Sequence, residues 1–400
     1  VSAEEISVVT LKPRHALPFF SQHPWVFPGA IQSVSGLPEV GTAVQVRSHE
    51  GKFIAHGLFN PGSKIRVRLY SWEEDRPLNE DFWRERLTRA IRFREQLFAG
   101  TTDGNGCRLV FSEADGLSGL TIDRMNDWLV LQWTSAALQQ REQVIVETLQ
   151  ALLNPRGIVL RTERGMKELE SLDVNDGLLC GELPPRSLQI EENGLKFLAD
   201  LQAGQKTGYY FDQRQNRRLL QRYGSGRLLD LCCYTGAFAL VGAASGRFSE
   251  VIGVDSSQPA IELARKNAEL NGLAQSTQFH AGDMGEFLQS QIDQQQLADT
   301  IVLDPPKLAR TRSGLERAAR AYVRLNRLAM QALKPDGILM TCSCSGHVSR
   351  TDFEQILLRA ALEAGRQVQI LEECGQAADH PVSISCLETG YLKCFVCRVL

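Results

Sequence analysis

The sequence predicts an α/β protein in three parts: a small N-terminal β-barrel, a middle α+β module and a C-terminal doubly wound parallel sheet. Three observations predict it. Short apolar runs separated by Gly, Pro and Asn fill the first 75 residues. Helical and strand periodicities are mixed over residues 76–185. From about residue 227, buried strand runs alternate with helical segments. Since 400 residues exceed what one hydrophobic core organises, the boundaries are drawn at 1–75, 76–185 and 186–400.

Hydrophobic residues at 43% and charged residues at 23%, with no low-complexity tract, imply a chain folded throughout. Lys plus Arg number 44 against 47 Asp plus Glu, a net charge of -3, which excludes a globally basic nucleic-acid binder. Any RNA contact must come from local patches. The start, VSAEEISVVTLKPRH, lacks the basic flank and apolar run of a secretory signal. No stretch approaches the ~20 apolar residues of a membrane span, so a cytoplasmic location and no membrane partner are expected. Ten cysteines crowd toward the C-terminal half and read as reduced thiols. Cys394-x-x-Cys397 has zinc-knuckle spacing, but no second Cys or His pair matches it, so it reads as a final buried strand, LKCFVCRVL. No metal is expected.

In the first part the strand signals are VVTL at 8–11, the alternating Val44 and Val46, FIAHGLF at 53–59, and Ile65, Val67 and Leu69 with Arg66, Arg68 and Tyr70 between them. In the middle part Trp83, Leu87, Ala90, Ile91, Leu97 and Phe98 recur at helical spacing over 79–98, with Arg84, Arg86, Arg89, Arg92 and Arg94 on other faces. The role of that Arg-rich helix stays open. CRLVFSEA and GLTIDRMNDWLVLQW follow as strands, the second folding on Asn126-Asp127, then a helix near 135–153 and the strand GIVLRT. After the break ELPPRS, SLQIEENGLKFLAD reads as a hairpin tipped by Asn193-Gly194. The runs RLLDL, SEVIGVD, DTIVLD and GILMTCS alternate with SQPAIELARKNAELNG and LERAARAYVRLNRLAMQAL, so the chain ends in a Rossmann-like domain.

Doubly wound sheets bind ligands at the carboxyl ends of their strands, and an acid stands at each: Asp230 before CCYTGAF, Asp255, Asp283 in AGD, and Asp304 in LDPPK. A carboxylate such as Asp255 can accept from both ribose hydroxyls at once. The loop DLCCYTGAF is not GxGxxG, and a pyrophosphate wants several glycines around it, so NAD is disfavoured. Any one of these acids would serve equally as a helix cap or turn former. The ordered series of four carries the reading. It resembles the motifs of class I S-adenosylmethionine-dependent methyltransferases over nearly all of residues 227–345. That resemblance implies S-adenosylmethionine as cofactor. It also implies a loop of Asp230, Tyr234 and Gly236 under its methionine and ribose, Asp255 on the ribose, Asp283 beside the adenine, and Asp304 closing the site.

KPRHALPFFSQHPWVFPGAI resembles the opening of a PUA domain, a small RNA-binding barrel. DPPKLARTRSGLERAARAYVRLNRLAMQALKPDGILMTCSCSGHV, together with TGYYFDQRQNRR and QAADHPV, resembles the RlmI type of 23S ribosomal RNA cytosine-5 methyltransferase over essentially the whole chain. The resemblance implies a PUA domain, a middle domain and a methyltransferase domain in that order, with Cys344 in SCSG as nucleophile and Asp304 as its catalytic partner on the base. Such a cysteine is needed because C5 of cytosine is a poor nucleophile until a thiolate adds at C6. Many cytosine-5 RNA enzymes carry a second cysteine, as Pro-Cys, in the fourth motif. Here the motif is Asp304-Pro305-Pro306-Lys307, so the group that removes the C5 proton is unassigned. Cys342 stands two residues before Cys344 and in a strand both face one side, so geometry does not separate them, and two small buried thiols are the plain alternative.

From 305 to 330, seven basic residues (Lys307, Arg310, Arg312, Arg317, Arg320, Arg324, Arg327) face one acid, Glu316. The last four share a helix face at i, i+3, i+7 and i+10, and of the patch Lys307, Arg317, Arg320 and Arg324 are candidates for RNA phosphate, as is Arg214 upstream. Arg214, Arg217, Arg218 and Arg222 after FDQ form a second cluster. The expected partners are 23S ribosomal RNA or a large-subunit precursor, with a homodimer allowed for. Two other readings stand beside cytosine chemistry: an RNA guanine ring-nitrogen methyltransferase, and a non-catalytic ribosome assembly factor that keeps the fold.

Overall fold

Alternating Val44 and Val46 turn inward from a strand whose other residues are less buried, the period-2 pattern of a half-covered sheet. A computed structural model describes residues 6–162, 165–201, 208–309 and 312–400, so Arg310 and the Arg312 side chain lie outside the described residues, as does Thr207 of the TGYYFDQR motif. The described residues group into two compact units. One takes residues up to 190 with 199–211 and 378–389, and the other takes 191–198, 212–377 and 390–400.

The first unit opens with β1 (Ser7–Leu11), α1 (Leu17–Phe20), β2 (Trp25–Val26), β3 (Ile31–Val34), β4 (Ala43–Arg47), β5 (Phe53–Phe59) and β6 (Val67–Ser71). These strands form one sheet in the order β2-β6-β5-β4-β1-β3, with β1 parallel to β4 and antiparallel to β3. Val9, Leu11, Val46, Ile54, Val67 and Leu69 are its core. Arg68 and Tyr70, which alternate with the apolar residues of β6, are both buried as well. Arg68 lies 3.1 Å from Glu113 and from Glu170, and the Tyr70 hydroxyl donates to the Ser118 carbonyl at 2.7 Å. A strand covered on both sides must pair whatever polar groups it carries.

The helical periodicity of 79–98 is α2 (Glu80–Leu97), started by Asn79, whose side chain accepts from Phe82 N at 2.9 Å. Trp83, Leu87, Ala90 and Ile91 bury as expected. Arg94 does not stay on a polar face. It is 1% exposed and donates to Asp115 and to the carbonyl of Asp379, each at 2.7 Å. Then come β7 (Gly106–Phe111), β8 (Leu120–Met125), β9 (Trp128–Trp133), α3 (Ala136–Gln139), α4 (Glu142–Leu153), β10 (Gly157–Leu160), α5 (Met166–Glu170) and β11 (Gly177–Gly181). The sheet order is β11-β10-β9-β8-β7. The single helix read near 135–153 is two, because Arg141 leaves helical geometry at φ -106°, ψ 15°. The hairpin of β12 (Ser187–Glu192) and β13 (Leu195–Asp200) turns on Asn193 and Gly194 at φ 55° and 77°, as an Asn-Gly turn requires.

The second unit runs α6 (Arg214–Tyr223), β14 (Gly226–Leu231), α7 (Ala237–Ala244), β15 (Phe248–Asp255), α8 (Gln258–Leu270), β16 (Gln278–Ala281) and α9 (Met284–Asp293). It continues with β17 (Ala298–Leu303), α10 (Leu315–Gln331), β18 (Leu333–Ser343), α11 (Arg350–Ala364), β19 (Val368–Cys374) and β20 (Lys393–Val399). Seven strands line up as β16-β15-β14-β17-β18-β20-β19. The first five are parallel, and β20 is antiparallel to both its neighbours. The chain moves outward from β14 to β16 and then returns to β17, so the strand order reverses beside β14. A crevice opens at the carboxyl ends of strands at such a point. Among the described residues no helix is long and apolar enough to cross a membrane.

Candidate active site

Past the end of β14 the backbone enters the left-handed region three times, at Cys232 (φ 62°), Tyr234 (φ 50°) and Gly236 (φ 82°). Gly236 is required twice over, since a Cβ there would lie 2.9 Å from the Phe279 ring. Asp255 closes β15 and holds this loop. One of its carboxylate oxygens accepts from Tyr234 N and the other from Ser257 N, both at 2.9 Å. Asp230 is 1% exposed; its Oδ2 accepts from Ala239 N at 2.9 Å, while Oδ1 is buried and accepts no hydrogen bond among the described residues. Burial above all, with the charges of Asp304 and Asp255 added, pushes its carboxyl up to about 7, against the Ala239 hydrogen bond and Arg217.

Asp283 is exposed and caps α9, its Oδ1 accepting from Gly285 N at 2.8 Å and Glu286 N at 3.0 Å. Asp304, half-buried after β17, accepts from the Gln213 side chain at 3.0 Å. The four acids thus stand at the ends of four neighbouring strands. A buried carboxylate oxygen with no donor, next to a left-handed loop, fits a ligand that carries positive charge and hydroxyl groups.

Burial separates the two candidate thiols. β18 ends at Ser343, so Cys344 lies beyond the strand and the expected shared face does not extend to it. Cys342 is 0% exposed and opposite Cys394 in the ladder. The contact with the Cys394 thiol, then burial, raises the Cys342 thiol well above its ordinary value. Cys344 is half-buried, its Sγ 4.0 Å from the Pro305 carbonyl oxygen, on the same turn as Asp304. Its flanking serines are both fully buried. Ser343 donates to the Tyr322 hydroxyl at 3.0 Å, and the Ser345 hydroxyl lies 3.2 Å from that same oxygen and accepts from Ala309 N at 3.1 Å. SCS is therefore one thiol held between two anchored hydroxyls.

Of the basic residues, Arg214 must be removed from the candidate RNA surface. It is 3% exposed and 3.4 Å from Glu192, and Arg217, equally buried, is 2.5 Å from the same carboxylate. A guanidinium enclosed against an acid is not available to phosphate. Arg218 and Arg222 are exposed, the latter 3.1 Å from Glu372. Lys307, Arg317, Arg320 and Arg324 are exposed. The α10 stripe is not uniform: Arg320 lies 3.8 Å from Glu316, while Arg324 and Arg327 line a groove with Glu286 and Asp293 of α9.

Cys394 and Cys397, three apart on β20, point to opposite faces and cannot share one ion. Elsewhere among the described residues His23, Cys386 and Glu388 bring donor atoms within 4.8 Å of one another. The sequence reading missed Gln213, 3% exposed, which donates to Asp304 while accepting from Asn216 at 2.6 Å. The arginines beside it dominated FDQR, and only its place in that motif marked it.

Residues 9–72 match the PUA-like domain model, and residues 165–381 match the S-adenosylmethionine-dependent methyltransferase model. The chain is similar to "Ribosomal RNA large subunit methyltransferase I" of Erwinia tasmaniensis, 42% identical over 95% of this chain and 96% of that protein. The protein of the same name from Escherichia coli is 41% identical over the same shares. In fold it resembles SMU.776, solved with SAH, at a TM-score of 0.84 and 20% identity, covering 98% of this chain and 100% of that one. The family expected from DPPK, SCSG and the PUA-like opening is thus found, and with it the class I fold and S-adenosylmethionine as cofactor. The chain belongs to the S-adenosylmethionine-dependent methyltransferases, in the ribosomal RNA large subunit methyltransferase I family.

Proposed function

We propose that the protein methylates C5 of a cytosine in 23S ribosomal RNA through a transient bond between Cys344 and C6. The observation that carries this is the placement of Cys344, a half-buried thiol 4.0 Å from the Pro305 carbonyl on the turn of Asp304. Exocyclic and ring nitrogens need no thiol adduct, so a thiol at this spot favours carbon as the acceptor. The names of the relatives point to large-subunit RNA as substrate and, with it, to the cytoplasm. Residues 1–75, 76–185 and 186–400 act in this reading as RNA-binding, middle and methyltransferase domains.

S-adenosylmethionine supplies an electrophilic methyl group on a sulfonium. Asp255, already holding the loop, accepts from the ribose hydroxyls, with Tyr234 and Gly236 shaping the floor beneath. Asp283 would hold the adenine side with Oδ2, since its cap of α9 uses Oδ1. Asp304 holds N3 of a flipped or single-stranded cytosine, and Gln213 orients Asp304.

Asp255→Ala should weaken cofactor binding by on the order of 1–3 kcal/mol, since it removes the acceptor and frees Tyr234 N. Calorimetry on the folded variant reads this, and unchanged affinity would reduce Asp255 to a loop tie. Asp230 adds a pH signature. Below about 7 its carboxyl is protonated, and the positive cofactor favours the ionised form, so binding releases a proton and tightens as pH rises through 7. Asp230→Asn should flatten that rise between pH 6 and 8; an equally steep profile would assign the linkage to another group.

On the RNA side, neutralising Arg317, Arg320 and Arg324 should lower RNA affinity and spare the cofactor. If each meets a phosphate, the slope of log affinity against log salt falls by roughly 2. An unchanged slope removes α10 from the RNA surface. Mass spectrometry of ribosomal RNA from cells with and without the gene tests the whole reading. Loss of 5-methylcytosine supports it, loss of a methylguanine transfers the chemistry to a ring nitrogen, and no change alongside intact cofactor binding points to an assembly factor.

A further inference from the structure

One half-buried cation beside the nucleophile has no part in the chemistry above. Lys393 opens β20 directly across from Ser343, the last residue of β18. Its Nζ donates to the carbonyl oxygens of Ser345 and Tyr391, each at 2.8 Å. Ser345 follows Cys344, so these two bonds hold the amine on the turn that carries the thiol. An ammonium has three protons, and two are committed to carbonyls. The charged groups facing Lys393 are Cys344 after β18, Lys307 after β17 and Asp352 in the first turn of α11. Burial first, and then Lys307, lower its amine to about 8, against Cys344 and Asp352. A free lysine titrates near ~10.4, so this one shares a range with a free thiol at ~8.5.

We propose that Lys393 is a positioning residue for Cys344, its ammonium stabilising the thiolate that adds to C6. The inference rests on the cytosine reading for its substrate, but not for the coupling of amine and thiol. The step balances without a further reactant. The fully protonated pair, thiol and ammonium, loses one proton to solvent water. The S–H bond breaks with its electron pair left on Sγ, and the form that reacts is thiolate beside ammonium, which charge attraction in a half-buried site stabilises relative to a thiolate without the cation. That sulfur pair then forms the bond to C6, the C5–C6 π pair moves through C4 to N3, and Asp304 in its acid form gives N3 its proton, so that the negative charge ends on the Asp304 carboxylate. The two protonations belong to the pair rather than to either residue, so reactivity and turnover should rise together over one pH range.

The test uses the full-length protein without RNA. Alkylation of Cys344 by iodoacetamide is followed from pH 6 to 10, with peptide mass spectrometry separating it from the other cysteines. In Lys393→Met the alkylation midpoint should move up by a pH unit or more, with about tenfold slower modification at pH 7.5, because reactivity follows the thiolate fraction. Lys393→Arg, which keeps the cation, should restore the early midpoint. Methyl transfer should fall with Lys393→Met while cofactor affinity holds. Superimposable alkylation profiles for wild type and Lys393→Met overturn the proposal. Should Lys393→Met fail to fold, the reciprocal measurement decides: acetic anhydride labelling of Lys393 should shift to lower pH in Cys344→Ser, and an unshifted midpoint overturns the coupling. A shifted thiol profile in a protein that makes no 5-methylcytosine sinks the cytosine reading and keeps the pair. An unshifted profile with normal product does the reverse.

Discussion

RNA carrying 5-fluorocytosine at the target position is expected to trap the protein after methyl transfer, as an adduct that survives denaturing electrophoresis. Fluorine cannot leave C5 as a proton does, so the thiol bonded to C6 cannot be eliminated. Cys344→Ser should abolish the trap and lower turnover by on the order of 10³-fold or more, since a hydroxyl at this site has no comparable anionic form. Cofactor binding should be unchanged, because the acids and the loop after β14 are untouched. Cys342→Ser should keep most of the turnover, for Cys342 is fully buried against Cys394 and its thiol is raised away from ionisation. Trapping that persists without Cys344 and disappears without Cys342 would move the nucleophile two residues. Turnover indifferent to both changes would exclude covalent cytosine chemistry.

Glu192→Ala should be the most damaging change outside the site, lowering stability by about 3–5 kcal/mol. Glu192 is 0% exposed, and two guanidiniums, Arg214 and Arg217, each 3% exposed, converge on its carboxylate. Removing it takes away the carboxylate that both enclosed guanidiniums meet. Urea unfolding, followed by the shift of the midpoint, measures the loss, and a change under ~1 kcal/mol would mean that solvent reaches the arginines. Replacing Glu192, Arg214 and Arg217 together by apolar residues of similar volume should recover much of the stability, because the penalty lies in the buried positive charge that lost its carboxylate and not in the absent ion pair. The same burial predicts that Arg214→Met leaves the salt dependence of RNA binding unaltered.

The features that local sequence determines are those whose cause lies within a few residues. Asn193-Gly194 turns a hairpin because both residues accept positive φ. Residues 80–97 form a helix because their apolar positions repeat every three or four residues behind an Asn cap. Asp255 and Asp304 fall at the ends of their strands because the buried parallel runs VIGV and IVL stop where a polar residue begins, whereas Asp283 follows an edge strand in which only Phe279 is buried. By itself, then, the sequence determined the class I sheet, the row of acids near the ends of its strands and the family. Tertiary structure alone decided which charged and reactive groups are free. Arg94 meets a carbonyl 285 positions away, Arg214 and Arg217 meet Glu192 across 22 and 25, and Lys393 reaches the Cys344 turn across 48. Periodicity assigns a residue to a face of its own element, but what covers that face comes from distant chain. Desolvation and pairing there set whether an arginine binds phosphate or a buried carboxylate, and which of two cysteines two residues apart is placed to react.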